Sequence, residues 1–227
     1  MNAPVPTRAD VVRRIKDGAV IAVVRAASAT EGVQIAQAAK AGGVRIVEVT
    51  LTVPDALAAI RQLSDTLGAD ALVGAGSVLD AEAARACIGA GARFVVSPIL
   101  ELGIVAACRE HDVVAMPGAL TPTEIAAAAA AGADLVKVFP VSAVGGASYV
   151  RALRGPMPHI GLVPTGGVTL SDAAAYLQAG AAAIGAGSDL AGPELLRKNG
   201  RAGVTAAARA YVEAVRAARR PTTTSLS

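Results

Sequence analysis

The feature that most constrains this chain is an alternation. Short runs rich in Val and Ile recur along its whole length, separated by alanine-rich stretches of helical length. Eight such runs occupy 19–24, 44–51, 71–74, 93–97, 113–116, 135–139, 161–164 and 181–184, and the intervening stretches include 29–41, 54–67, 81–90, 121–131 and 171–179. Unbroken apolar runs, rather than alternating ones, belong to parallel strands covered by helices on the outside and packed on the inside. Eight strand–helix units in 227 residues predict an α/β chain folded as a (β/α)8 TIM barrel. A doubly wound open sheet uses the same units and is the alternative.

Punctuation agrees with the alternation. Glycine closes several helical stretches, in Ala41-Gly42-Gly43, Gly89-Ala90-Gly91, Ala131-Gly132-Ala133 and Ala179-Gly180-Ala181, where a left-handed cap leads into the next strand. Thr121-Pro122-Thr123-Glu124 and Thr169-Leu170-Ser171-Asp172 supply start signals. An extra N-terminal helix over 7–16 is expected to cover the barrel floor. A single domain is expected over 1–220, with a disordered tail at 221–227.

Composition removes several function classes. With 53% hydrophobic and 17% charged residues the chain is not a disordered one. It has no uncharged apolar run of the ~18 residues a membrane span needs, and 1–18 has no apolar signal core, so a cytoplasmic protein with no membrane partner is expected. Cys87 and Cys108 sit in helical stretches without metal-type spacing and read as small core residues. The net charge of +3 gathers toward the C-terminus, at Arg197, Lys198, Arg209, Arg216, Arg219 and Arg220, as on a solvated helix face. With aromatics at 2% and no Trp there is no stacking platform, and no nucleic-acid partner is expected.

A barrel core should be apolar, so polar residues inside its strands need a reason. The two-residue period of a strand puts Ile46, Glu48 and Thr50 on one face and Val47, Val49 and Leu51 on the other. The all-apolar face must meet the helices, so Glu48 points into the barrel. The same count groups Leu135, Lys137 and Phe139 inward, against Val136 and Val138 outward. Of only four lysines beside seventeen arginines, Lys137 alone lies in an apolar strand. A desolvated lysine gives up its proton as an arginine does not, which suits imine formation with a ketone. A buried Glu48–Lys137 ion pair without a catalytic task is the competing reading.

Arg25 ends the first run with the parity of Ile21 and Val23, which places it at the rim as a clamp for a substrate carboxylate. A surface arginine at a strand end is the plainer reading. Glycine-rich turns follow the seventh and eighth runs, in Pro164-Thr165-Gly166-Gly167 and Gly185-Ala186-Gly187-Ser188. In (β/α)8 barrels phosphate commonly sits on these loops. Gly74-Ala75-Gly76-Ser77 forms a further close-approach rim. His111 and His159 precede strands five and seven, on the floor side, so no metal site is expected. No P-loop, nucleophile elbow or dinucleotide fingerprint is present.

The segments IAVVRA, GGVRIVEVTLTVPDA, VGAGSV, FVVSP, MPGALTPTE, LVKVFP, VPTGGV and AIGAGSDL, in order from about Val20 to Leu190, resemble the 2-keto-3-deoxy-6-phosphogluconate (KDPG) and 4-hydroxy-2-oxoglutarate (KHG) aldolases. The resemblance implies a metal-free and cofactor-free class I aldolase with a (β/α)8 barrel, usually a homotrimer. It implies that Lys137 is the Schiff-base lysine and Glu48 the general acid/base. Gly166, Gly167, Gly187 and Ser188 would hold phosphate, with Thr165 beside them. Ser77, Pro98 and Phe139 would wall the pyruvyl pocket. Some members carry EVTLRT, whose arginine binds the carboxylate; here Thr52 stands at that place, and Arg25 takes the clamp over. The small-molecule partners implied are a phosphorylated 2-keto-3-deoxy sugar acid and pyruvate. A phosphosugar isomerase or epimerase using Glu48 as base, with Lys137 stabilising an enolate, is the alternative activity.

Overall fold

The computed structural model of the chain describes residues 6–219; the tail expected over 221–227 lies outside the described residues. In chain order the elements are α1 (Arg8–Gly18), β1 (Val20–Val24), α2 (Ala29–Ala41), β2 (Ile46–Thr50), α3 (Ala56–Thr66), β3 (Leu72–Gly76), α4 (Ala81–Gly89) and β4 (Phe94–Val96). There follow α5 (Leu102–Glu110), β5 (Val114–Met116), β6 (Gly118–Ala119), α6 (Pro122–Ala130), β7 (Val136–Val138), a 3₁₀ turn (Val141–Val144) and α7 (Gly146–Arg154). The chain closes with β8 (Leu162–Pro164), α8 (Ala173–Gln178), β9 (Ile184–Ala186), α9 (Ser188–Ala191) and α10 (Pro193–Ala218). The glycines after α2, α4, α6 and α8 take the left-handed turn their positions predicted: Gly43, Gly91, Gly132 and Gly180 have φ of 100, 103, 91 and 95°.

All strand pairs are parallel. Six strands run in the order β5-β4-β3-β2-β1-β9, and three in the order β6-β7-β8. Beyond the fifth run, which forms β5, the structure adds the short β6; Pro117 separates the two, because proline has no N–H to continue a ladder. Its carbonyl still accepts the Lys137 N–H at 2.9 Å, so the two sheets stay in register there. At the other seam a single bridge pairs Thr165 with Gly185. The curled parallel sheet, with helices outside it, is a TIM-barrel-like fold. The last strand is displaced from the run at 181–184: Ile184, Gly185 and Ala186 pair with Val20, Ile21 and Ala22. Small side chains are required there, since a Cβ on Gly185 would collide with the Thr165 hydroxyl.

Two apolar clusters follow from the strand period. Val47, Val49, Val136 and Val138 pack outward against helix residues such as Ile60 and Ile104. Ile21, Ile46, Leu72, Phe94, Met116, Leu135 and Val163 pack inward, joined by Val11 and Ile15 of α1. Arg8 of α1 also reaches Asp112 and Asp134, at 3.9 and 3.6 Å, on the side where β5 and β7 begin. α10, broken at Gly200, buries Val204, Ala208, Tyr211 and Val215 at helical spacing. Arg197, Lys198, Arg209 and Arg216 on the same helix and Arg219 at its end are exposed, as on a solvated face; Arg220 lies outside the described residues. Cys87 and Cys108 are buried free thiols, pushed up to about 11 and about 12 by burial. Among the described residues, no helix is long and apolar enough to cross a membrane.

Candidate active site

Inside the sheet, the strand ends change character within two residues. Ile46 gives way to Glu48 on β2, Leu135 to Lys137 on β7, and Val163 to Thr165 after β8, all on the inward face. Glu48 and Lys137 are 2% and 5% exposed, although both carry ionisable groups. Room for the glutamate comes from the neighbouring strand: a Cβ on Gly76 would occupy the position of Glu48 Oε1. That oxygen is buried with no hydrogen-bond partner, a costly condition that native proteins tolerate chiefly at functional sites. It also weighs against Glu48 as one half of a satisfied ion pair. Burial raises the Glu48 pKa above the ordinary carboxylate range, while the Lys137 and Arg25 charges pull it back down. Lys137 Nζ stands 4.8 Å from the centroid of the Phe139 ring, close enough for a cation–π contact.

A cavity of about 230 Å³ opens over this end of the barrel. It brings together Arg25, Lys137, Phe139, Thr165, Gly166, Gly167, Gly187 and Ser188, the sequence-predicted residues from β1, β7, β8 and β9. Gly166 and Gly167 have φ of 86 and 78°, and a Cβ on Gly167 would strike the Ser142 hydroxyl, so only glycine fits. Neither of their N–H groups donates to a protein acceptor. Two turns of backbone donors therefore face a cavity that also holds the Arg25 guanidinium and the buried Lys137 side chain.

Four predicted residues stand outside that lining. Glu48 lies deeper, paired in register with Val23 of β1 and Gly74 of β3. Thr52 is exposed just past β2; Thr50 donates to the Val24 carbonyl at 3.0 Å, so the 2.8 Å contact between the two hydroxyls makes Thr52 the donor to Thr50. Ser77 follows β3 in a left-handed conformation, φ 58°, which is unusual for a residue with a side chain. Pro98 follows β4, its carbonyl group packed where a Cβ on Gly118 would go.

Sequence reasoning gave no role to three polar residues here. Thr50, which strand parity places on Glu48's face, is 1% exposed. Ser97 is fully buried, its hydroxyl accepting the Ile99 N–H at 3.1 Å. Asp189, beside Ser188, lines the cavity. Among the described residues no three His, Cys, Asp or Glu side chains are grouped to hold a metal ion.

The family model described as "KDPG and KHG aldolase" matches residues 11–207. A 2-dehydro-3-deoxy-phosphogluconate aldolase of Treponema pallidum is 42% identical over 161 residues, covering 70% of this chain and 75% of that one. A 2-dehydro-3-deoxy-6-phosphogalactonate aldolase of Escherichia coli is 34% identical over 198 residues, covering 86% and 95%. Among solved structures, a KDPG aldolase from Legionella pneumophila, with pyruvate captured as a covalent carbinolamine, superposes with a TM-score of 0.81. It is 28% identical, and the match covers 88% of this chain and 97% of that one.

Proposed function

The chain belongs to the KDPG and KHG aldolase family, and from that premise we propose how its residues divide the work of a class I aldolase. The enzyme cleaves 2-keto-3-deoxy-6-phosphogluconate to pyruvate and glyceraldehyde 3-phosphate, and KHG, to pyruvate and glyoxylate, is a further substrate. The observation that carries this reading is the pairing of a buried strand lysine with a buried, unpartnered carboxylate at one end of the barrel.

Lys137, as the free amine, attacks the C2 ketone and forms a carbinolamine. Glu48 supplies the proton with which the C2 hydroxyl leaves as water, giving an iminium. Its raised pKa suits it to hold a proton and give it up. Glu48, again a carboxylate, then takes the C4 hydroxyl proton. The C3–C4 electron pair flows into the iminium, releasing glyceraldehyde 3-phosphate and leaving an enamine. Glu48 returns the proton to C3, giving an iminium that water hydrolyses to pyruvate and the free lysine amine, the released proton going back to Glu48.

The two ends of the substrate have separate anchors. Arg25 holds the carboxylate, and the N–H groups of Gly166, Gly167, Gly187 and Ser188 hold the phosphate, with the Ser188 hydroxyl beside them. Thr165 and Phe139 shape the passage between, Ser77 and Pro98 wall the pyruvyl end, and Thr52 braces the β1–β2 rim through Thr50. An isomerase reading would give Lys137 no covalent role and needs no aldehyde product.

The architecture is read as one (β/α)8 barrel domain over 1–220 in which α1 covers the floor. It is read as cytoplasmic and as a homotrimer. Support for self-association comes from Leu79 and Ile99 on the loops after β3 and β4 and Leu102 at the start of α5, exposed by 57, 47 and 56%. The activity is tested by following pyruvate release from KDPG and KHG with purified enzyme. Pyruvate from both supports the assignment; isomerisation of a phosphosugar without pyruvate overturns it.

A further inference from the structure

Asp189 is the one carboxylate lining the cavity, and it stands directly after Ser188, beside the proposed phosphate seat. Left free, it would repel a phosphate. Its oxygens are turned to protein donors: the Tyr211 hydroxyl shares its one proton between Oδ1 and Oδ2, 2.9 and 2.8 Å away, and the Leu170 N–H donates to Oδ2 at 3.0 Å. Tyr211 is fully buried on α10. Leu170 lies on the loop after β8, three residues beyond Gly167. One side chain therefore ties the turn after β9 to the turn after β8 and to the C-terminal helix.

The tie matters because the strand contacts end below these turns. β8 and β9 share no continuous ladder: the Ala182 N–H donates to the Leu162 carbonyl at 2.8 Å, and the Thr165–Gly185 bridge is the last backbone pairing before the two turns diverge. Beyond that bridge, Asp189 and its two donors link the turns by hydrogen bonds. We propose that Asp189 and Tyr211 are positioning residues for phosphate recognition, fixing the distance between Gly166–Gly167 and Gly187–Ser188 so that both turns grip one phosphate. The inference rests on the phosphate assignment made above. It predicts that the pair governs binding of phosphorylated substrates and leaves the imine chemistry alone.

Tyr211→Phe removes the hydroxyl and keeps the ring that packs in the core; Asp189→Ala removes the other half. For each variant, KM and kcat are measured on KDPG and KHG, together with the Ki of inorganic phosphate against KHG turnover. In Tyr211→Phe, KM for KDPG and Ki for phosphate should rise roughly five- to tenfold, the loss of a hydrogen bond to a charged group. The kcat on KDPG and both constants on KHG should stay within about twofold. Asp189→Ala should move the same constants in the same direction, and the double variant should be no worse than the weaker-binding single one.

Equal losses on both substrates would overturn the proposal by making the pair a mere anchor for α10, and so would unmoved constants. Tighter phosphate binding by Asp189→Ala would overturn it too, since the charge and not the bridge would then be what the phosphate feels. Wild-type KHG turnover that phosphate does not compete refutes the phosphate seat itself. That result is distinct from a competed wild type with unmoved variants, which refutes only the positioning role.

Discussion

The floor and the rim of this barrel are built from the same strands, often two residues apart, and they are made of opposite materials. Toward the floor the inward face is Ile21, Ile46, Leu72, Phe94, Leu135 and Val163, closed by Val11 and Ile15 of α1. Toward the rim it is Glu48, Thr50, Lys137 and Thr165, with Gly76 and Gly185 making room and the exposed Arg25 at the cavity mouth. The lower layer is satisfied by contact alone. In the upper layer a carboxylate oxygen is left without a partner and a lysine is nearly sealed from water, so stability has been concentrated below and reactivity above.

That division can be broken one residue at a time. The largest effect is expected on β7, where Lys137→Met should lower aldol cleavage by on the order of 10⁴-fold or more while the protein still folds. Steady-state pyruvate release and a melting curve measure the two sides of that statement. Next, Glu48→Gln keeps the shape and one acceptor but cannot shuttle protons, so kcat should fall roughly 10²–10⁴-fold with KM changed less. A kcat near wild type would make Glu48 a structural residue.

Leu135→Ala, two residues before the lysine, should do the reverse. It should cost about 2–5 kcal/mol of stability, read by denaturant titration, with kcat retained under native conditions. Loss of turnover without loss of stability there would dissolve the contrast between the two layers. The smallest effect concerns the substrate ends. Ser188→Asp puts a charge among the proposed phosphate donors, and repulsion of about 1–4 kcal/mol should lower kcat/KM for KDPG roughly tenfold or more while sparing KHG. Arg25→Ala should instead weaken both substrates alike. A loss confined to KDPG would reassign Arg25 to the phosphate.

Much of the rim was legible because strand parity is local information. Counting by two from Ile46 and Leu135 placed Glu48 and Lys137 inward, and the structure has both there. The helix ends were legible for the same reason, since a left-handed cap is chosen by the residue that occupies it. The fifth run ended at 116, before Pro117, and β6 beyond it was missed because Gly118 and Ala119 carry no strand signal. The last strand was misplaced because Gly185 and Ala186 carry no β-branched signal; their smallness answers Thr165 on another strand. Asp189 was invisible as more than a neighbour of Ser188. Its partner Tyr211 lies 22 residues on, and only packing of α10 brings the two together.

The central claim is that Lys137 is the nucleophile that forms the imine. It is tested most directly by borohydride reduction of the enzyme in the presence of pyruvate, followed by peptide mapping by mass spectrometry. The account predicts inactivation with one reduced pyruvyl group on the peptide containing Lys137, and none in Lys137→Met. A reduced adduct on Lys16, Lys40 or Lys198 that tracks with inactivation, or full activity after treatment with no adduct at all, would contradict it.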